Sequence, residues 1–227
     1  MSFRRVAGIA GILMFLGFLA TFFVAGDFPD LEEPGSEWVS FVSDEEGSLR
    51  YNATVTNFTF VFFIVFASGL FVLLRNTERG SGDAWAIVGL LGAIFIVAMI
   101  GSAFSAQSGL LQHVDSLADE PEAVKALARY DSGAFLTSFL GFTTFLGGMG
   151  LAGLRTKVLP KWIAIFALVG AVGSLAPLFG NVAEDAEDSL LGPFGFLGFI
   201  VFAIFPLVTG IWMLRTGEAP ASTVVPA

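Results

Sequence analysis

The side chains that could do chemistry in this 227-residue chain are few. His113 is the single histidine, with Asp115 and Asp131 downstream. A histidine with carboxylates can bind a metal or shuttle a proton. But His113 and Asp115 are two residues apart, and on a helix they would point to different faces. One histidine is a thin basis for a transition-metal site, and a solvated loop histidine is the plainer reading. Glu184, Asp185, Glu187 and Asp188 form an acidic run whose oxygens suit hard cations. The run lacks the alternating ligands and central glycine of a calcium loop, and a solvated acidic loop accounts for it. Arg129-Tyr130-Asp131 is the third cluster. Asp131 is favourable near a helix N-terminus, and Arg129 could pair with it or with a lipid phosphate. Structural anchoring and ligand contact both remain open for this cluster.

A fourth group lies within apolar stretches: Ser102, Ser105, Gln107, Thr137, Ser138, Thr143, Thr144, Ser174 and Thr209. In a bilayer such side chains bond backbone or a neighbouring helix, or they line a narrow polar seam. If a seam exists, Ser102, Ser105, Thr144, Gly148, Arg129 and Asp131 are its candidate ligand-binding residues. The absences weigh more. There is no cysteine, which removes disulfides, thiolate metal sites and cysteine nucleophiles. No apolar stretch holds an ionisable side chain in its interior, where proton relays and ion pumps place them. Paired histidines for haem, a Ser/His pairing and a Gly-rich phosphate loop after a strand are all missing. The sequence therefore assigns no catalytic residue, no metal site and no cofactor, and argues against an enzyme.

Residues this sparse in chemistry sit on an apolar frame. The chain is 55% hydrophobic with a mean hydropathy of +0.80. A membrane-crossing helix needs about 20 mostly apolar residues. Six stretches qualify, at 6–26, 58–74, 84–106, 133–154, 162–179 and 192–214. They are apolar all round, unlike alternating barrel strands. The expectation is an all-α polytopic transmembrane bundle, one domain over 1–214, with a disordered tail at 215–227.

Charge orients it. With alternating spans, eight of the eleven basic residues fall on one side and 17 of the 20 acids on the other. The positive-inside rule then places both termini in the cytoplasm of a cell-membrane protein. There is no basic footprint for nucleic acid. The small residues at Val24-Ala25-Gly26 resemble a signal cleavage site, but the first stretch exceeds the usual h-region of about 7–15 residues. An uncleaved first helix is favoured.

The loops at 75–83 and 155–161 are tight; those at 27–57, 107–132 and 180–191 are longer and acidic. In the first long loop Ser36 can cap a helix after Pro34-Gly35, with Trp38, Phe41 and Val42 as an apolar stripe and Gly47 as a stop. Its acids would be repelled by anionic headgroups, so this short amphipathic helix should lie on the bundle top. Ser48 would cap the helix running into the second span. In the second long loop Pro121 suits a first helical turn. Rows of small residues should make the close contacts among spans three, four and five. They are Ala98, Ser102 and Ala106 beside Gly101, Ser105 and Gly109; Thr144, Gly148 and Ala152 beside Gly147 and Gly150; and Ala167 and Ala171 beside Gly170 and Ser174. The phenylalanines from Phe194 to Phe205 should face outward or fill voids, and Pro206 should kink the last span.

Three stretches carry a family resemblance. They are the acidic helix at 37–46 followed by Ser48-Leu49-Arg50, Ala126-Leu127-Ala128-Arg129-Tyr130-Asp131 before span four, and Leu159-Pro160-Lys161-Trp162 opening span five. Over 33–179 the chain resembles a group of uncharacterised actinobacterial multi-helix membrane proteins gathered as domains of unknown function. The resemblance implies a six-helix membrane bundle and transfers no catalytic residue. The leading functional expectation is a non-catalytic subunit or scaffold that meets a membrane-protein partner or a second copy of itself. The alternative is a binder or transporter of a lipid or apolar small molecule, through a seam among spans three to five.

Overall fold

The structure, a computed structural model, describes residues 1–22, 28–179 and 191–216. They form seven α-helices: α1 (Phe3–Phe22), α2 (Gly35–Asp44), α3 (Glu46–Glu78), α4 (Trp85–Gln112), α5 (Pro121–Thr156), α6 (Lys161–Gly173) and α7 (Leu191–Arg215). Short 3-10 turns follow α4 (Val114–Asp119) and α6 (Ala176–Phe179), and no strand occurs among the described residues. Six helices, all but α2, are long and apolar enough to cross a membrane, counting α6 with its following turn. This is a multi-pass membrane protein. The acidic run at 184–188, the small residues at 24–26 and the tail from 217 lie outside the described residues.

The six spans form a closed ring. Each packs on its neighbours in chain order, and α7 returns to α1. Phenyl rings fill the middle: Phe63, Phe142, Phe145, Phe202 and Phe205 are fully buried. Phe142 and Phe202 stack at 4.2 Å, whereas Phe63 meets Phe145 and Phe202 edge-on at 5.2 and 5.4 Å. Offset and edge-to-face pairs are the favoured aromatic geometries. Within α7 the phenylalanines divide between both expected roles. Phe194 and Phe196 are exposed, and Phe202 and Phe205 fill the core. Pro206 lies inside α7.

In lipid, close approach of backbones replaces the hydrophobic effect as the source of helix contact. The α4–α5 seam shows this most clearly. A Cβ on Gly148 would sit 2.3 Å from the Gly89 nitrogen, and one on Gly92 would sit 2.4 Å from the Phe145 nitrogen. The row through Thr144, Gly148 and Ala152 therefore does make a tight contact, and so do Ala167, Gly170 and Ala171 on α6. The rows expected on α4 mostly do not, although Ser102 and Ala106 are half-buried and Ser102 bonds Tyr130 of α5. Ala98, Gly101, Ser105 and Gly109 are exposed, and a Cβ on Gly101 or Gly109 would meet nothing within 4 Å. Gly89 and Gly92, one face round, do that work. Close contacts also extend beyond spans three to five. A Cβ on Gly210 would lie 2.5 Å from the Gly8 carbonyl oxygen, one on Gly11 would lie 2.5 Å from that of Pro206, and one on Gly69 would lie 2.2 Å from the Ala7 Cβ.

At one face of the ring, the hairpin face, the α3–α4 and α5–α6 turns lie together. Here Glu78, at the end of α3, is fully buried. Its two carboxylate oxygens accept the Ala86 amide at 3.2 and 3.1 Å, so it caps the first turn of α4. A carboxylate there meets both free N–H groups and the positive end of the helix dipole. Arg75 stands 3.7 Å from Glu78 and donates to the Asp83 carbonyl at 2.7 Å. Arg155 pairs with the Asp83 carboxylate at 2.8 Å, tying α5 to the same turn. The charge-bearing ends of the helices are thus drawn into one polar knot, beyond the span boundary of 74 read from the sequence.

Two outcomes follow. Gly148→Leu drives a side chain into the α4 backbone and should destabilise the fold by more than the roughly 1–3 kcal/mol typical of overpacking, whereas Gly101→Leu should leave thermal unfolding of the isolated protein in detergent unchanged. Glu78→Ala leaves the α4 amide and Arg75 without their carboxylate and should cost about 3 kcal/mol or more; Glu78→Gln should recover part of it in the same unfolding assay.

Candidate functional site

The opposite face of the ring carries a cap. Helix α2 lies across it, starting at Gly35 with Pro34 preceding and no side-chain cap bond, so Ser36 sits inside the first turn. A Cβ on Gly35 would approach the Pro121 carbonyl oxygen to 2.3 Å, so α2 begins in contact with the backbone at the start of α5. Trp38 and Val42 are buried with Leu49, Leu111, Leu117 and Val124, and Phe41 packs against them. The amphipathic stripe covers the bundle top as its spacing implies. The helix breaks at Glu45, and Gly47 lies within α3. Pro121 opens α5 as its spacing indicated. Polar ties fasten the cap. Lys125 Nζ donates to the Glu32 carbonyl at 3.0 Å, Arg129 Nη2 to the Leu31 carbonyl at 3.2 Å, and Trp38 Nε1 to the Asp30 carbonyl at 3.3 Å. Arg50 donates to the Glu46 carboxylate at 2.7 Å and to the Leu111 carbonyl.

Beneath the cap lies a cleft of about 220 Å³. Five spans line it: Phe18, Thr21 and Phe22 from α1; Asn52, Thr56 and Phe60 from α3; Ile100, Ala103 and Phe104 from α4; Asp131, Phe135 and Phe142 from α5; and Phe199 from α7. Asn52, Thr56 and Phe60 are spaced by four and share one face of α3; Asp131 and Phe135 do the same on α5. Phe18 meets Phe60 and Phe199 edge-on at 6.3 and 6.1 Å, so the rings also hold one another. The cleft is therefore mostly phenyl wall, with a polar end made by Asn52, Thr56 and Asp131. Thr56 donates to the Asn52 side-chain oxygen at 3.1 Å. A smaller cavity of about 40 Å³ sits between cap and bundle, among Trp38, Phe41, Leu49, Gln107 and Leu127, and Asp131 lines it as well. Asp131 thus stands where the two spaces meet. Among the described residues no hydrogen bond or ion pair reaches its carboxylate. Arg129, two residues away on the helix, turns to the cap instead.

Of the residues singled out by sequence, only Asp131 lines the cleft. The Ser102 hydroxyl bonds that of Tyr130, joining α4 to α5. Ser105 donates to the Gly101 carbonyl at 2.7 Å, and Thr144 donates to those of Leu140 and Gly141 at 2.9 and 3.1 Å. Gly148 is buried in the α4–α5 contact. Thr137 and Ser138 also bond their own helix backbone, at 2.8 and 2.6 Å. The hydroxyls of Thr143, Ser174 and Thr209 are enclosed and find no partner among the described residues. His113 borders a groove of about 450 Å³ with Asp119 and Glu120, and Asp131 does not line it. No cluster of three metal-ligating side chains occurs among the described residues. Asn52 and Thr56 escaped the sequence reading because the second span was started at 58. The helix leading in was read from Ser48, and carrying the Asn52, Thr56, Phe60 spacing along it would have found them.

Replacing both Lys125 and Arg129 by Ala should leave α2 helical, because the Trp38 cluster is intact, yet speed amide exchange in α2 about five- to tenfold through the lost cap bonds. Hydrogen exchange resolved by peptide is the measurement, and unchanged α2 protection would show the ties to be idle.

No curated protein and no solved structure matches this chain. A family model does, over residues 6–217, which is nearly the whole of the described bundle. The match is to the family as a whole and names no source or activity. The chain belongs to the family described as Domain of unknown function (DUF4386).

Proposed function

We propose that this protein binds an apolar or amphipathic small molecule, a membrane lipid or a compound of that character, in the cleft beneath its cap. The observation that carries this reading is a space of about 220 Å³, walled by phenylalanine from five spans and polar at one end. An apolar cavity of roughly 150 Å³ already takes up a benzene-sized guest, and sites for small molecules are concave, mostly apolar and marked by a few placed polar groups. The groups that line the cleft bind and orient; none forms a nucleophile–base pair, so the reading is non-catalytic. The cap face is assigned to the outside of the cell membrane and both termini to the cytoplasm, on the excess of basic residues at the hairpin face.

A second reading is assembly with a partner helix or with another copy. One observation favours it: the outward face of α4 exposes Ala98, Gly101, Ser105 and Gly109, and small residues are what helices in lipid pack through.

One pair of variants separates the readings. Ala103→Leu projects into the cleft and should deplete any lipid-sized species that co-purifies with the protein in gentle detergent, as seen by native mass spectrometry. Gly101→Leu should retain that species but split a homo-oligomer or release a partner. A lipid profile identical in Ala103→Leu and the natural sequence would sink the cleft reading.

Topology is tested by single cysteines, since the chain has none. Ser43→Cys should react with a membrane-impermeant maleimide on intact cells, and Gly80→Cys only after permeabilisation; the reverse pattern would invert the assignment.

A further inference from the structure

We infer that the occupant of the cleft carries a positively charged amine on an apolar body. This rests on the cleft reading above and names its ligand class. The Asp131 carboxylate lines the cleft with no hydrogen bond or ion pair from any described residue. The two cations nearest it in sequence are engaged elsewhere, Lys125 on the Glu32 carbonyl at 3.0 Å and Arg129 on the Leu31 carbonyl at 3.2 Å. Asp131 is half-buried, and that burial pushes its carboxyl above the usual carboxylate range; a cation beside it would offset the hydration it has lost.

The surroundings choose the sign of that partner. Phenylalanine rings make up most of the wall, and their faces attract cations. The Thr56 hydroxyl gives its hydrogen to Asn52 at 3.1 Å, so its oxygen is left as an acceptor toward the space. An ammonium brings donors and no acceptor, which fits a carboxylate, a hydroxyl oxygen and ring faces together. A phosphate or carboxylate headgroup would be repelled by Asp131, and a neutral guest could donate a hydrogen bond but would bring no opposite charge to it. The acids on the cap side, among them Glu32, Glu33 and Glu37, would raise the local concentration of cations in the same sense.

The test uses the full chain in phosphatidylcholine nanodiscs at neutral pH, with octylamine and octanol as matched probes. Affinity is read from the ligand-dependent rise in melting temperature followed by tryptophan emission. The amine should bind about tenfold more tightly than the alcohol, the increment of a charge-assisted hydrogen bond. In Asp131→Asn, which keeps the shape of the side chain, that preference should vanish while octanol affinity stays. Equal affinity of amine and alcohol for the natural sequence would overturn the inference and leave the cleft reading standing, with no variant required. Binding of neither probe would overturn both.

Discussion

The α4–α5 contact is the constraint on which the other packing relations rest. Gly92, Gly141 and Gly148 bring two helix backbones to a separation that leaves no room for a Cβ at these positions. In a bilayer, apolar side chains gain little by leaving lipid for one another, so contact must come from fit. Once these backbones meet, the rotation of α5 about its axis is set. The faces carrying Phe142 and Phe145 then turn to the ring centre, and the face carrying Asp131 and Phe135 turns to the cleft.

Helix α5 is also longer than a bilayer requires. Its 36 residues extend about 54 Å at 1.5 Å per residue, against a hydrocarbon core of about 30 Å. The excess stands above the ring and is the post against which α2 leans. Cap, cleft and hairpin knot are therefore coupled through one rigid element. Its far end is tied by Arg155 to Asp83 at 2.8 Å, and its near end is fastened to the carbonyls of residues 31 and 32.

Much of this architecture was legible in the sequence. The six spans, the cap stripe of Trp38 and Val42, and the start of α5 at Pro121 follow from hydropathy, periodicity and proline chemistry. Rows of small residues were less informative, because spacing marks a face but not the direction it looks. On α5 and α6 the rows face neighbours; on α4 the row through Gly101 looks away from them. Span boundaries drawn from apolar runs hid two things. Glu78 lay past one boundary, where a charged residue reads as loop, although its position suits it to cap the next helix. Asn52 and Thr56 lay before another, on the helix read as leading in from Ser48, where only the apolar run was weighed and their shared face with Phe60 was not. Unlike them, Asp131 was singled out, but its neighbours in sequence suggested an internal ion pair that the helix geometry turns aside. A cavity assembled from five helices has no linear signature.

The closure of the ring through Gly8 and Gly210 has a bearing on biogenesis. These residues belong to the first and last of the helices described, and their carbonyls and Cα atoms meet across the whole intervening chain. During synthesis, α1 enters the bilayer with its glycine face unfilled and keeps it so until α7 has been inserted. Without α7 the ring of neighbours would be open between α1 and α6. On that open arc the cleft lacks the wall that α7 gives it through Phe199. The last wall of the cleft and the last contact of the ring are thus supplied by the same helix, and insertion machinery that shields α1 in the interval would be guarding the seam that finally seals the protein.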